Sequence, residues 1–102
     1  MIQFMATHLR FAISPDVIST EAQLDESLLL NTRTLAYFGL DAMGSKLWQT
    51  MQLTNQVDVV IRELANTTGK TIPEIEPFVQ SILTGMQRSG LLTLEKILPV
   101  EL

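Results

Sequence analysis

The spacing of apolar residues changes once along this chain, near Leu40, and that change limits the folds available to it. Before Leu40, short apolar segments rich in β-branched and aromatic residues alternate with polar turns, which is typical of strands. After Leu40, apolar residues recur every three or four positions, which is typical of amphipathic helices. The sequence therefore predicts an α+β domain with helices packed on one side of a sheet.

Three strands are predicted in the first part of the chain, after an irregular start over residues 1–13. Ser14-Pro15-Asp16 is a turn signal, and the β-branched segment 17–22 follows it. A second strand, 27–31, contains three consecutive leucines. A third strand, 35–40, contains Tyr37 and Phe38. Short polar turns separate the three segments, so they predict a small antiparallel meander.

Three helices are predicted in the second part, each with recognisable end signals. Asp41, Asn55 and Thr71 are expected to cap their N-termini, because short polar side chains accept hydrogen bonds from the first turn. Gly69 and Gly90 are expected to end the second and third helices. A short strand over 92–94 could follow.

Composition narrows the class of protein. The 102 residues are enough for one domain with a real core, and 46% hydrophobic residues exclude a disordered chain. The absence of cysteine excludes disulfides, thiolate zinc sites and a cysteine nucleophile. The single histidine, His8, argues against a histidine-dependent metal or catalytic centre.

Charge and hydropathy also bear on partners and location. The formal net charge of −4 argues against nucleic-acid binding, which needs clustered Lys and Arg. No apolar run approaches the ~18 residues that span a membrane, and the N-terminus does not resemble a signal peptide. We therefore expect a cytoplasmic protein with no membrane partner.

Candidate catalytic groups are few. Asp25 and Glu26 lie in a predicted turn, and Glu74 and Glu76 lie at a helix start, where negative charge is favourable. Such carboxylates are usually solvated, and no phosphate-binding or nucleophile motif is present. The sequence predicts no catalytic residue, no metal and no cofactor.

The third helix carries an unusual stripe beside its predicted core face. At ~100° per residue, five residues fall on this stripe, and none of them is charged. Glycine at position 85 costs ~1 kcal/mol of helix stability relative to alanine. The stripe comprises Phe78, Ser81, Ile82, Gly85 and Ser89. This pattern indicates that something approaches the helix backbone closely. A bound peptide, the tail 94–102 and a second copy of the chain all fit it.

The third strand is apolar on both faces over residues 35–38. If it lies at the edge of the sheet, its unpaired backbone groups could accept an extended peptide by strand addition. If it lies in the middle, the apolar faces simply reflect burial.

The order of these motifs resembles the PqqD-like family. The resemblance rests on three runs: LLLN at 28–31, YFGLD at 37–41 followed by MGSKLW at 43–48, and the ending L-x-x-M-x-R-S-G-L-L at 83–92. Asp41 stands where the family often has Asn, and Phe78 where it often has an acid. The run from Tyr37 to Trp48 is most similar to lasso-type members.

The resemblance implies a winged helix-turn-helix-like fold that recognises ribosomally made precursor peptides. A precursor's leader segment would pair with the third strand beside the third helix, and a separate maturation enzyme such as a leader peptidase would then act on it. The predicted domain spans residues 1–102, with a core at 14–92, as a monomer or weak homodimer. The expected peptide-binding residues are Thr34, Leu35, Ala36, Tyr37, Phe38, Phe78, Ser81, Ile82, Gly85 and Arg88. Arg88 could pair with an acidic leader side chain.

Two other functions fit the sequence less well. A winged-helix DNA-binding regulator uses the same elements, but its recognition helix should present basic residues, whereas the third helix has only Arg88. A small carboxylate enzyme needs two acids converging in a cleft, and no such pair is evident.

Overall fold

A computed structural model describes residues 9–21 and 25–96. His8, residues 22–24 of the first predicted strand and turn, and the tail beyond Lys96 lie outside the described residues. The elements are β1 (Leu9–Ile13), β2 (Val17–Glu21), β3 (Ser27–Asn31), β4 (Tyr37–Leu40), α1 (Ala42–Met51), α2 (Val57–Thr68), α3 (Ile72–Arg88) and β5 (Leu92–Lys96).

The predicted α+β fold class is confirmed. β2, β3 and β4 form an antiparallel sheet in that order, and the three helices follow it. Leu29 in the central strand β3 is fully buried and faces Phe38 of β4 across the ladder. The sheet and helices thus enclose one core.

The prediction of an irregular start is wrong over β1. This strand pairs antiparallel with β5, so that Phe11 lies opposite Leu94 in a second, two-stranded sheet. Phe11 is buried, and its backbone N–H also donates to the Asn55 carbonyl at 2.9 Å. The strand depends on partners more than 40 residues away, which local patterning does not reveal.

The strand predicted over 35–40 begins at Tyr37 instead. Residues 32–36 form a hairpin loop, in which the Leu35 N–H donates to the Asn31 carbonyl at 2.7 Å. Leu35 has a φ of 65°, in the left-handed region that a strand cannot use. The first two residues of the predicted strand, Leu35 and Ala36, therefore belong to the loop.

The helix caps are confirmed in two of three cases. The Asp41 carboxylate accepts from the Gly44 N–H at 2.8 Å, and Thr71 forms a reciprocal capping box with Glu74. The Asn55 prediction is wrong, because α2 starts one residue later with Gln56 as an N-cap that makes no side-chain bond. Gly69 ends α2 with a φ of 72°, as predicted.

The core forms where the helices meet β1, β3, β4 and β5. Its buried hydrophobic residues are Phe11, Leu29, Leu40, Leu47, Met51, Val57, Val60, Ile61, Leu64, Ala65, Ile75, Val79, Leu83, Met86, Leu91 and Leu92. Trp48, Phe38, Phe78 and Ile82 are partly buried and pack against this core. Among the described residues, no helix is long and apolar enough to cross a membrane.

Candidate functional site

The strand β4 lies at an edge of the three-stranded sheet. Within residues 9–21 and 25–96 it pairs with β3 alone, so its other side carries no strand. Such an edge presents free backbone donors and acceptors, which are a template for a further strand. Of the two alternatives that the sequence left open, the edge position is the one observed.

The register of the ladder identifies which backbone groups of β4 are free. The Asn31 N–H donates to the Ala36 carbonyl at 2.8 Å, so these two residues form a hydrogen-bonded pair. Antiparallel pairs alternate between bonded and non-bonded, which makes Phe38 and Leu40 the next residues bonded to β3. Tyr37 and Gly39 therefore direct their N–H and C=O groups away from β3, toward the open edge.

The burial of side chains on α3 decreases stepwise from its core side to its solvent side. Val79, Leu83 and Met86 are completely buried on the core side. Phe78, Ile82 and Gly85 are half-buried, and Ser81 and Arg88 are exposed. The uncharged stripe therefore forms a border between the core and solvent, as the residue spacing predicts.

The residue that approaches the α3 backbone at Gly85 is Phe38 of β4. A Cβ placed on Gly85 would lie 2.9 Å from Cε1 and 3.0 Å from Cζ of the Phe38 ring, closer than carbon atoms normally approach. Glycine at this position thus allows the edge strand to lie against the helix. Part of the signal that suggested a bound peptide is explained by this internal contact.

Asn31 holds the loop before β4 in place, a role that its position at the end of the second predicted strand does not by itself reveal. Its side chain is 1% exposed, and Nδ2 donates to the Gly90 carbonyl at 2.9 Å. Its Oδ1 accepts from the N–H groups of Arg33 at 2.9 Å and Thr34 at 3.1 Å. One side chain therefore joins the β3–β4 loop to the end of α3. The sequence signal for this role is a polar residue at the end of an apolar run.

A second set of bonds fixes the outer side of the same loop. Thr32 donates through both its N–H and its hydroxyl to the Asp16 carbonyl, each at 2.9 Å. The Arg33 Nε lies 3.1 Å from the Asp16 carboxylate, in an ion pair that is largely exposed. These contacts join the β1–β2 turn to the loop and so help to fix the position at which β4 begins.

The predicted site residues fall into two groups. Tyr37 and Phe38 lie in β4, with Tyr37 71% exposed, and Phe38 meets Gly85 of α3. Thr34, Leu35 and Ala36 lie in the preceding loop and not in the strand, although Leu35 is also 71% exposed. The remaining predicted residues lie on α3: Phe78, Ser81 and Ile82 belong to the stripe, and Arg88 is the last residue of the helix.

Charge is sparse on the exposed part of α3. Glu74 takes part in the capping box, where the Thr71 backbone N–H and hydroxyl, with Lys70 nearby, hold the pKa of Glu74 below its usual 4.5. Arg88 is the only basic residue of this helix. A helix that contacts DNA phosphates and bases normally presents several Arg or Lys side chains.

The fold and the site together define a class of protein. It is a small α+β domain in which a free edge strand lies beside an uncharged stripe on a helix. The chain belongs to the PqqD family: the family model described as "Coenzyme PQQ synthesis protein D (PqqD)" matches residues 26–92. The resemblance drawn from the sequence is confirmed. The matched region runs from the start of β3 to the start of β5 and includes both β4 and α3.

A solved structure described as "TbiB1 in Complex with the TbiA(beta) Leader Peptide" is similar to this chain, with a TM-score of 0.69 and 29% identity. The match covers 78% of this chain and 92% of that one. No curated protein matches the chain.

Proposed function

We propose that this protein is a non-catalytic recognition module that binds the leader segment of a ribosomally made precursor peptide. The observation that carries the proposal is the free edge of β4 beside the stripe of α3. The similar TbiB1 chain, which is described in complex with a leader peptide, supports it. The run from Tyr37 to Trp48 favours a precursor of the lasso-peptide class.

Strand addition to β4 is the binding mode that the ladder favours. Tyr37 and Gly39 direct their backbone groups outward, so an extended peptide would pair with these two residues. This shifts the pairing from the predicted 34–38 toward the end of the strand. Thr34, Leu35 and Ala36 would then flank the bound peptide from the loop.

The stripe of α3 would supply the apolar wall of the groove. Alternate side chains of an added strand point to the same face as Phe38, which is the face that packs against Gly85. Those side chains would meet Phe78 and Ile82, while Ser81 forms part of the rim. Arg88 at the end of α3 could pair with an acidic leader residue.

Such a site binds a peptide but does not cut it. Backbone amides and apolar side chains provide affinity and register, whereas bond cleavage needs a positioned nucleophile, acid or base. We therefore assign the chemistry to a separate maturation enzyme, such as a leader peptidase, to which this chain delivers the precursor.

The test is a fluorescence-anisotropy titration with the labelled leader of a precursor peptide, which is to be sought among the short genes next to this chain's gene. Gly39→Pro removes one outward N–H, and its φ is not in the left-handed region, so proline should be accepted at this edge. We expect at least a ~30-fold loss of affinity, equivalent to about 2 kcal/mol. Gly39→Ala is the matched control, because a Cβ there meets no atom within 4 Å. It keeps the outward N–H, so it should bind the leader much more tightly than Gly39→Pro does.

Two side-chain variants examine the groove wall and rim. Phe78→Glu and Tyr37→Ala should both weaken the leader complex, the first more strongly because it places a charge in an apolar wall. Thermal unfolding of each variant verifies that it remains folded. Parental affinity in Gly39→Pro, Phe78→Glu and Tyr37→Ala together would refute the proposed site. Salt-sensitive binding to a DNA duplex without leader binding would favour the regulator instead.

Delivery is tested with a leader peptidase that is to be sought among the same neighbouring genes. At precursor concentrations below saturation, adding this chain should raise the rate of leader removal, and the Gly39→Pro variant should not. Equal rates with and without the parent chain would contradict the delivery step but leave leader binding standing.

A further inference from the structure

A depression lies on the outer side of the sheet, at the end of β4. Leu28 and Gly39 line it together with Leu40, and Glu26, Ser27 and Asp41 complete its lining. A Cβ on Gly39 would meet no atom within 4 Å. The depression is therefore open because the strand has no side chain at this position.

The register places this depression next to an added strand. Gly39 lies opposite Leu28 in the ladder, so both belong to the same face of the sheet. The peptide residue that pairs with the outward backbone groups of Gly39 would direct its side chain to that face. Since glycine leaves the path clear, this side chain could extend over Gly39 and reach Leu28, which is 37% exposed.

The far end of the depression is acidic. Glu26 and Asp41 are both exposed, and Asp41 uses Oδ1 to accept the Gly44 N–H at 2.8 Å. A neighbouring depression is lined by Glu21, Asp25 and again Glu26, with Lys46 as its one basic residue. The two depressions together are lined by four carboxylates and one ammonium group, so the local potential is negative.

We propose that this depression is a subsite for a lysine or arginine side chain of the bound leader. The aliphatic part of such a side chain would cover Gly39 and Leu28, and its cationic end would lie beside Glu26 and Asp41. No other common side chain combines this length with a positive charge. The inference rests on the proposed strand addition to β4 and adds a sequence requirement to it.

Charge-removing variants test the subsite. Asp41→Asn keeps the helix cap, because asparagine caps as well as aspartate, and Glu26→Gln preserves side-chain shape. The double variant should weaken leader binding ~5-fold at low salt, a loss typical of a well-placed exposed ion pair. The effect should shrink at about 0.5 M salt, because exposed ion pairs are weakened by screening. The charge-matched control, Asp58→Asn with Glu63→Gln on α2, should change affinity less than about twofold.

A leader variant completes a double-mutant cycle. Replacing the basic leader residue with methionine should cost the same ~5-fold with the parent chain and almost nothing with the Glu26→Gln/Asp41→Asn chain. Equal losses with both chains would overturn the subsite, and so would a leader without a basic residue in its bound segment. If Gly39→Pro abolishes binding while the charge variants bind normally, strand addition stands and this inference alone fails.

Discussion

The Phe38 ring lies directly over Gly85, so that a Cβ on this glycine would come within 2.9 Å of the ring. This contact joins the edge strand β4 to the helix α3 and sets the base of the proposed groove. A residue with a side chain at position 85 would force the ring outward, toward the space assigned to the peptide.

The contact predicts a strong coupling between these two positions. Gly85→Ala gains ~1 kcal/mol of helix propensity, but in the parent the crowded ring offsets that gain. In a Phe38→Ala background the full gain should appear. Urea unfolding of the parent, the two single variants and the double variant should therefore give a coupling energy of about 1 kcal/mol. Effects that add to within ~0.5 kcal/mol would show that the ring and the glycine are independent.

Asn31 should be among the most sensitive polar positions. Asn31→Asp keeps the shape but replaces the donor that meets the Gly90 carbonyl at 2.9 Å with an acceptor, in a buried position. We expect a loss of about 2 kcal/mol in the free energy of unfolding. The exposed Asn55→Asp should change it by less than ~0.5 kcal/mol. Similar midpoints for the two variants in urea would contradict the role assigned to Asn31.

Leu35 should be a position where glycine stabilises the fold. Its φ of 65° is unfavourable for a branched side chain, and its side chain is 71% exposed and so loses little packing. Leu35→Gly should raise the free energy of unfolding by about 0.5 kcal/mol after the added freedom of the unfolded chain is counted. Leu53→Gly, at an exposed residue outside the left-handed region, should lower it. A lower melting temperature for Leu35→Gly would refute the strain.

The capping box predicts a pH-dependent difference at Glu74. Thr71 donates to the Glu74 carboxylate and lowers its pKa in the folded state, so the ionised form stabilises the fold. This contribution is complete above the unfolded value near 4.5 and is lost as the pH falls through the lower folded pKa. Glu74→Gln retains an acceptor but not the charge, so it should be less stable than the parent at pH 7 and equal to it in acid. Thermal unfolding of both proteins from pH 7 to 2.5 measures the difference in their stability. A difference that does not change with pH would contradict the prediction.

Much of the helical part could be predicted from sequence because its signals are local. Apolar residues at a 3.6-residue period defined the buried side of α3, and the caps at Asp41 and Thr71 depend on residues three positions away. The failed cap at Asn55 has a tertiary cause, since its carbonyl accepts a hydrogen bond from Phe11 of β1 while α2 starts after Gln56. Local propensity gave no sign of that contact.

The order of elements from β2 to α3, the uncharged stripe on α3 and the family could all be predicted from the sequence. Three features follow only from the folded chain: β4 is an edge strand, Phe38 is the neighbour of Gly85, and Tyr37 and Gly39 direct their backbone groups outward. The reason is that periodicity records which face of an element is buried, but not which distant residue buries it. Pairing and register depend on contacts between residues far apart in sequence, and these exist only once the chain has folded.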